Sequence, residues 1–457
     1  MSNILLVEPD YRSKFPPLGL LRLSTFHKSR GDTVTFTRGK NPVLRLQHWH
    51  RVYISSLFTY ELPRTVATIK YYIPCVENPS EDILVGGIGA TLLPEYIKDQ
   101  VPVRVIEGPL DKANMIGPDT PPISLLVPDY GILSSVPWEY KPTDSYFCRI
   151  TQGCIRNCSF CAVPSLEPSF GYLRSLRDQL REIDSAFGEK QNLVLLDNNI
   201  LAIENFDEII AEIRESGFVA GAKRNNKKRT VDFNQGIDAR LITPTIANLL
   251  ASICLDPVRL AFDFDGMEGQ YRKAIKYLVD AGLRSFTNYV MFNFNDTPLS
   301  LYKRMRINID LSEEHNILIT SFPMRFIPID DVIRHYVSKG WKWRYLRGIQ
   351  CVLNATHGMV SPNTSFFEGA FGKSYEEFIE IISMPDRYII HRNKFKDHEA
   401  KDWFNLFRRL TFSERDEFLD ILGSLNRSED RNGILLSNCK YAPLFEHYYP
   451  NGDAPHD

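Results

Sequence analysis

Short apolar runs separated by amphipathic stretches organise the first hundred residues. Ile4–Val7 ends in Glu8-Pro9, Arg51–Ser55 is a second run, and Asp82–Gly89 is a third, opening into a helix near Leu92–Lys98. Val101–Glu107 is a fourth. Strands separated by helices pair in parallel, so the segment reads as a doubly wound, flavodoxin- or Rossmann-like sheet. Pro109, Pro118, Pro121, Pro122, Pro128, Pro137 and Pro142 then interrupt the pattern. Proline disfavours helix and central strand alike, so this stretch reads as a linker or an irregular wrap.

Beyond it the alternation is clearer. Tyr146–Thr151, Leu193–Asp197, Val231–Gln235, Val258–Phe264, Phe286–Phe292 and Ile317–Phe326 are strand candidates with helical stretches between them. Asn205 and Glu208 form a capping pair ahead of Phe206, Ile209, Ile210 and Ile213, and Gly217 stops that helix. Thr243-Pro244 and Thr297-Pro298 are N-cap and first-turn signatures. Six strand–helix units in order predict a partial (βα)6 barrel of the eight-fold type. After about residue 331 the alternation ends. Ser374 with Glu377 opens one helix, and Trp403–Leu422 reads as another stopped by Gly423, giving a helical cap. The expected domains are 1–108, a linker over 109–142, the barrel over 143–330, and the cap over 331–457.

Length and composition fit this division without adding to it: 457 residues suffice for about three domains. With 54 basic against 56 acidic residues the chain is no nucleic-acid coat, although a local basic patch remains open. No apolar run approaches the ~20 residues of a membrane helix. The N-terminus has no basic n-region or cleavage site, so a cytosolic protein is expected. Eight cysteines are too few for a disulfide scaffold, and three of them are clustered.

That cluster, Cys154-Ile-Arg-Asn-Cys158-Ser-Phe-Cys161, follows the first barrel strand and so falls on the face where such barrels place their chemistry. A structural zinc site wants four protein ligands, and no second pair is present. A thioredoxin-like pair would leave Cys154 over. Three thiolates suit a [4Fe–4S] cluster with one iron open to a substrate.

The Cys-x3-Cys-x2-Cys spacing, with Phe160 before the last cysteine, resembles the radical S-adenosylmethionine superfamily. Thr151-Gln152-Gly153 and Ala162-Val163-Pro164 on its flanks are similar to tRNA methylthiotransferases and to the cobalamin-domain branch. Leu6–Pro9, Pro16–Leu20, Val85–Gly89 and Pro128-Asp129-Tyr130 resemble that branch's N-terminal B12-binding-type domain and linker. The resemblance implies a [4Fe–4S] cluster on Cys154, Cys158 and Cys161 and S-adenosylmethionine on its open iron. It also implies a reductase such as flavodoxin or ferredoxin, and hydrogen abstraction by a 5′-deoxyadenosyl radical. By position it implies cofactor contacts from Phe160, from Asp197, Asn198 and Asn199 after the second strand, and from Gln235 and Arg240 after the third. Asp263 after the fourth strand and Asn293 after the fifth complete that set. Arg240 could instead hold its loop through an Arg–Asp ion pair, and Asp296 could serve the turn before Thr297. Arg325 closes the sixth strand and faces substrate or solvent.

Departures from the family narrow the function. A second cluster needs three N-terminal cysteines, and the region offers Cys75, with Cys148 at the barrel's edge, which argues against methylthiolation. Cys254, Cys351 and Cys439 read as small buried hydrophobes. The Asp-x-His-x-x-Gly motif of cobalamin ligation is absent, the matching turn being Asp10-Tyr11-Arg12-Ser13-Lys14. Either cobalamin binds without a histidine or the domain is a relic. Gly86, Gly87 and Gly89 could admit a nucleotide tail or be ordinary strand-exit glycines. Two basic runs, 223–229 and 339–347, offer Lys227, Arg229, Lys342 and Arg344 to a phosphate backbone. A nucleic-acid substrate therefore stands as an alternative to the favoured small molecule, natural-product intermediate or peptide. A non-catalytic iron–sulfur or zinc module and an electron carrier are the other classes.

Overall fold

The computed structural model describes residues 1–427 and 439–449. They form two compact units, 1–258 with 328–335 and 259–327 with 336–457, of which 428–438 and 450–457 lie outside the described residues.

The first unit opens with a five-stranded sheet of Asn3–Glu8, Thr33–Arg38, Arg51–Ser55, Ile83–Gly86 and Arg104–Val105. The order is second, first, third, fourth, fifth, and each neighbouring pair runs parallel. The first strand is central, and alternate residues feed opposite cores. Leu5 and Val7 join Val52, Ile54, Ile83 and Val85 on one face, while Ile4 and Leu6 join Tyr53, Leu84 and helix Leu18–Ser29 on the other. Burial on both faces is why the strand is a continuous apolar run.

Two details differ from the sequence reading. Thr33–Arg38 is a further strand without an apolar run, since Thr33, Thr35 and Thr37 alternate with Val34 and Phe36. The expected strand Val101–Glu107 shortens to Arg104–Val105 at the sheet edge, where Pro102 has no N–H for a ladder. The proline-rich stretch is an irregular wrap over this sheet: Ile116, Ile123, Ile132 and Tyr140 enter the second of the two cores.

The same unit holds the first three barrel strands, Ser145–Cys148, Asn192–Leu195 and Val231–Phe233, in a parallel sheet with the second in the middle. Helices Leu176–Phe187, Phe206–Glu215 and Pro244–Ala251 follow them in turn. Thr243 caps the last as expected, accepting from Ile246 N at 3.2 Å. Asn205 does not cap with its side chain, and its amide donates to Glu208 at 2.8 Å instead.

The second unit holds strands Val258–Ala261 (Val258 itself counting with the first), Ser285–Phe292 and Leu318–Arg325 in that order, the last two parallel. Helix Pro298–His315 shares one core with the C-terminal helices: Leu301, Met305 and Ile309 pack with Ile349, Phe378, Trp403, Phe407 and Phe418. Ser374 caps Tyr375–Ser383 through Glu377 N at 3.3 Å. The single helix expected over Trp403–Leu422 is two, Glu399–Arg409 and Phe412–Arg427, and Gly423 lies inside the second rather than stopping it. A capping box makes the break: Thr411 Oγ1 accepts from Glu414 N at 3.3 Å while Thr411 N donates to Glu414 Oε2 at 2.9 Å. No described helix is long and apolar enough to cross a membrane.

Candidate active site

The cysteine loop leaves the first barrel strand through a narrow neck. Thr151–Gln152 pairs antiparallel with Gly171–Tyr172, closing the loop on itself. Gly153 is obligatory at this neck: its φ is +69°, and a Cβ there would lie 2.1 Å from the carbonyl oxygen of Ser169. Glu167 ties the loop internally. It accepts from Gly153 N at 2.7 Å and Asn198 Nδ2 at 3.0 Å, and it forms a two-pronged ion pair with Arg149. Burial alone would raise this carboxyl, but Arg149 and the Gly153 N–H outweigh it and hold Glu167 below the usual range.

Cys154, Cys158 and Cys161 are all partly exposed on this loop, whereas Cys75, Cys148, Cys254 and Cys351 are buried. The buried four behave as small hydrophobes, and burial pushes the Cys148 thiol up to about 12. The side chain of Cys439 lies outside the described residues. Donors face the loop thiols: Cys154 Sγ accepts from Arg156 N at 3.3 Å and Asn199 Nδ2 at 3.5 Å, and Cys161 Sγ from Val163 N at 3.5 Å. Such contacts suit thiolates. Among the described residues no three His, Cys, Asp or Glu side chains converge as ligands of one metal ion. A four-iron cube, taking one thiolate at each of three corners, makes no such demand.

The second and third strands deliver charge to the same edge. Asp197, 3% exposed, spends Oδ1 on Ile150 N, Thr151 N and Thr151 Oγ1 at 2.9, 2.5 and 2.8 Å. Its other oxygen, Oδ2, is buried without a partner, as is Oδ1 of Asn199. Burial outweighs the three donors and raises the Asp197 carboxyl above the usual range. Two orphaned acceptors beside the loop are a vacancy for a cationic donor. After the third strand, Asp238 accepts from Arg156 Nε at 2.9 Å and from Arg240 Nε at 2.6 Å. Arg240 thus pairs with Asp238, the alternative that the sequence left open, and the Cys158 thiol also stabilises its charge. Asn198 donates to Glu167, and Gln235 is exposed beside Asn234 at 3.4 Å. Phe160 lies half-buried on the cysteine loop.

Of the remaining expected residues, Asp263, Asn293, Arg325, Lys342 and Arg344 sit in the second unit, and Lys227 and Arg229 in the first. Asn293 is fully buried with φ +68°, donating to Phe326 O and Tyr336 O at 3.0 and 3.2 Å and accepting from Ser338 N at 3.0 Å. Both ends of its side-chain amide are thus bonded to backbone groups of 326–338. Asp263 lies half-buried beside Arg304, which donates to its carbonyl at 2.9 Å and to Asp296 Oδ2 at 2.7 Å. Arg325 donates to Tyr336 O at 2.8 Å. Of the basic residues, Arg229 is 5% exposed, paired with Glu189 and stacked 3.8 Å from the Phe218 ring centre. Arg344 is 3% exposed against Asp386, and Lys342 pairs with Asp416 and Asp420. Lys227 is exposed on a tight hairpin, Lys223–Arg224 against Lys227–Lys228, turned by Asn225 and Asn226 at positive φ.

Sequence reasoning did not single out Arg149, Arg156, Glu167 or Asp238. Arg156 stood inside the cysteine motif and Asp238 two residues before Arg240, so position alone could have flagged both. Glu167 reaches partners 14, 18 and 31 residues away, a separation with no local signature.

No family model matches the chain. Two curated relatives are the ribosomal protein uS12 methylthiotransferases RimO of Stenotrophomonas maltophilia (strain K279a) and Xanthomonas campestris pv. campestris (strain 8004). Each is 32% identical over 120 residues, 24% of this chain and 23% of theirs. The chain thus spans about a quarter of the length of the curated relatives it matches. Among solved structures, the radical S-adenosylmethionine methyltransferase TsrM from Kitasatospora setae, with cobalamin and a [4Fe-4S] cluster bound, matches with a TM-score of 0.52 and 14% identity. That match covers 77% of this chain and 79% of TsrM. The chain shares its fold with that radical S-adenosylmethionine methyltransferase.

Proposed function

We propose that the protein is a radical S-adenosylmethionine enzyme that abstracts hydrogen from a small molecule, natural-product intermediate or peptide. The observation that carries this reading is the pair of orphaned acceptors, Asp197 Oδ2 and Asn199 Oδ1, buried beside three half-exposed cysteines. A [4Fe–4S] cluster on Cys154, Cys158 and Cys161 would supply one electron to bound S-adenosylmethionine and so release the 5′-deoxyadenosyl radical. The chain's own residues bind and orient. Asp197 Oδ2 offers an anionic acceptor to the ammonium of the methionine moiety, and a cation there relieves a buried charge that Thr151 and Ile150 only partly satisfy. Asn199 touches Cys154 Sγ through its amide and leaves its carbonyl oxygen for the same ammonium. Arg240, oriented by Asp238, stands beside the Cys158 thiol and suits the methionine carboxylate. Glu167 and Arg149 hold the loop that presents the thiolates.

A nucleic-acid substrate loses support in the same geometry, because burial or carboxylate pairing engages Arg229, Lys342 and Arg344. The test is anaerobic assembly with iron and sulfide, then dithionite and S-adenosylmethionine, with 5′-deoxyadenosine read by chromatography. Formation of 5′-deoxyadenosine and methionine is expected. A brown, four-iron protein that cleaves nothing would point to an electron carrier, and stoichiometric zinc would point to a binding module.

A further inference from the structure

In an open parallel sheet the ligand crevice lies outside the carboxyl ends of the strands, at the point where strand order reverses. In the N-terminal sheet that point falls between Asn3–Glu8 and Arg51–Ser55. Tyr11 stands there. It is 1% exposed, its hydroxyl donates to Ser55 O at 2.5 Å and lies 3.4 Å from Thr65 Oγ1, and its ring meets Phe58 edge-on.

The neighbouring strand exits are closed as well. Glu8, the last residue of the central strand, is 2% exposed and accepts a hydrogen bond from the Tyr140 hydroxyl. Arg38, its register partner on the next strand, lies 3.8 Å from the Trp138 ring centre. On the other side the fourth strand's exit is pinned to the third: Ser56 N donates to Gly86 O at 2.8 Å and Gly89 N to Ser56 O at 3.0 Å. A Cβ on Gly87, whose φ is +106°, would lie 2.5 Å from Ser56 O, and one on Gly89 2.6 Å from Ser56 Oγ. These glycines bring one loop against another within the chain.

We propose that the chain's own aromatic residues have taken over the carboxyl edge of this sheet, which now seats the 109–142 segment and is not a cobalamin site. A corrinoid with its nucleotide arm would have to displace Tyr11, Trp138 and Tyr140 together, each buried, stacked or hydrogen-bonded where the edge would open. The Asp10–Lys14 turn, which lacks a histidine, uses its second residue to fill the crevice. The seat is independent of the cysteine site, so its test does not rely on turnover.

Full-length, cluster-loaded protein is incubated with excess hydroxocobalamin, desalted, and its corrinoid counted by absorbance. Backbone hydrogen exchange is followed over 8–12 and 136–142 with and without the corrinoid. Corrinoid at the level of a protein-free control and unchanged exchange are expected. Stoichiometric retention with a shifted spectrum, or new protection over either segment, would overturn the proposal. Tyr140→Phe removes one bond of the seat and keeps the ring. A severalfold faster limited proteolysis within 109–142 is expected, and an unchanged rate would overturn the seating role. Production of 5′-deoxyadenosine by the same preparation reports separately on the proposed reaction.

Discussion

The first unit contains two parallel sheets, and their carboxyl edges have been treated in opposite ways. At the N-terminal sheet, Tyr11, Trp138 and Tyr140 cover the strand exits, and the Tyr11 hydroxyl is satisfied by Ser55 and Thr65. At the barrel sheet, Asp197 Oδ2 and Asn199 Oδ1 are buried without partners and three thiols are half-exposed. Strand polarity is alike in the two sheets, whereas the strand order reverses only in the N-terminal one, so polarity alone does not decide which edge receives a ligand. Unspent hydrogen-bonding capacity differs between them in kind: the N-terminal edge leaves Ser55 Oγ, Ser56 Oγ, Trp138 Nε1 and two guanidinium nitrogens of Arg38 buried without hydrogen-bond partners, whereas the barrel edge leaves two acceptors. The N-terminal edge is closed by the packing of aromatic rings, and the barrel edge leaves two acceptors open to a donor.

The contrast is broken most severely at the thiols. Replacing any one of Cys154, Cys158 and Cys161 by alanine should take iron from about four per chain to background and abolish 5′-deoxyadenosine, with thermal stability nearly unchanged. Retained iron in Cys158→Ala would show that the barrel edge has been misread. Tyr11→Ala should do the converse: a cavity cost of about 3–5 kcal/mol, read as a drop in denaturation midpoint, with iron content intact. A mild loss there would mean that Tyr11 is not filling the crevice.

Asp197→Asn keeps the shape and removes the charge. Losing one charge-assisted bond, about 1.5–3 kcal/mol, should weaken S-adenosylmethionine binding roughly ten- to a hundredfold by equilibrium dialysis. Unchanged affinity would remove Asp197 from the ammonium site.

The smallest effect is a pH slope at the closed edge. Burial pushes the Glu8 carboxyl up to about 7 against the opposing Tyr140 and Arg38 contacts. The folded protein then holds a proton that the unfolded chain, titrating near its ordinary value, has released. Between those two values folding stability falls as pH rises, by at most about 1.4 kcal/mol per pH unit. Wild type should therefore lose more stability from pH 5.5 to 7.5 than Glu8→Gln, by chemical denaturation, and parallel curves would contradict the buried carboxyl.

What the sequence disclosed follows the same division between covalent pattern and spatial pairing. The cysteine spacing and the apolar strands are local, so Cys154–Cys161 and the six barrel strands could be read directly, and the (βα)6 order with its helical cap followed. Thr33–Arg38 escaped because threonine lends strand propensity without apolar contrast. Arg229 and Arg344 read as surface cations because their neutralising partners, Glu189 and Asp386, are distant in sequence. Asn293 reads as a ligand residue because it follows a strand; the backbone groups bonded to its amide come from 326–338.

The neck of the cysteine loop has a consequence for how the centre is built. Because Thr151–Gln152 and Gly171–Tyr172 already bring the loop ends together, and Glu167 cross-ties it, most of the closure entropy is met by the polypeptide before any metal arrives. Metal uptake then orders three side chains and not a whole segment. The metal-free chain should remain folded, take iron and sulfide back after oxidative loss, and do so at a rate set by delivery of those ions.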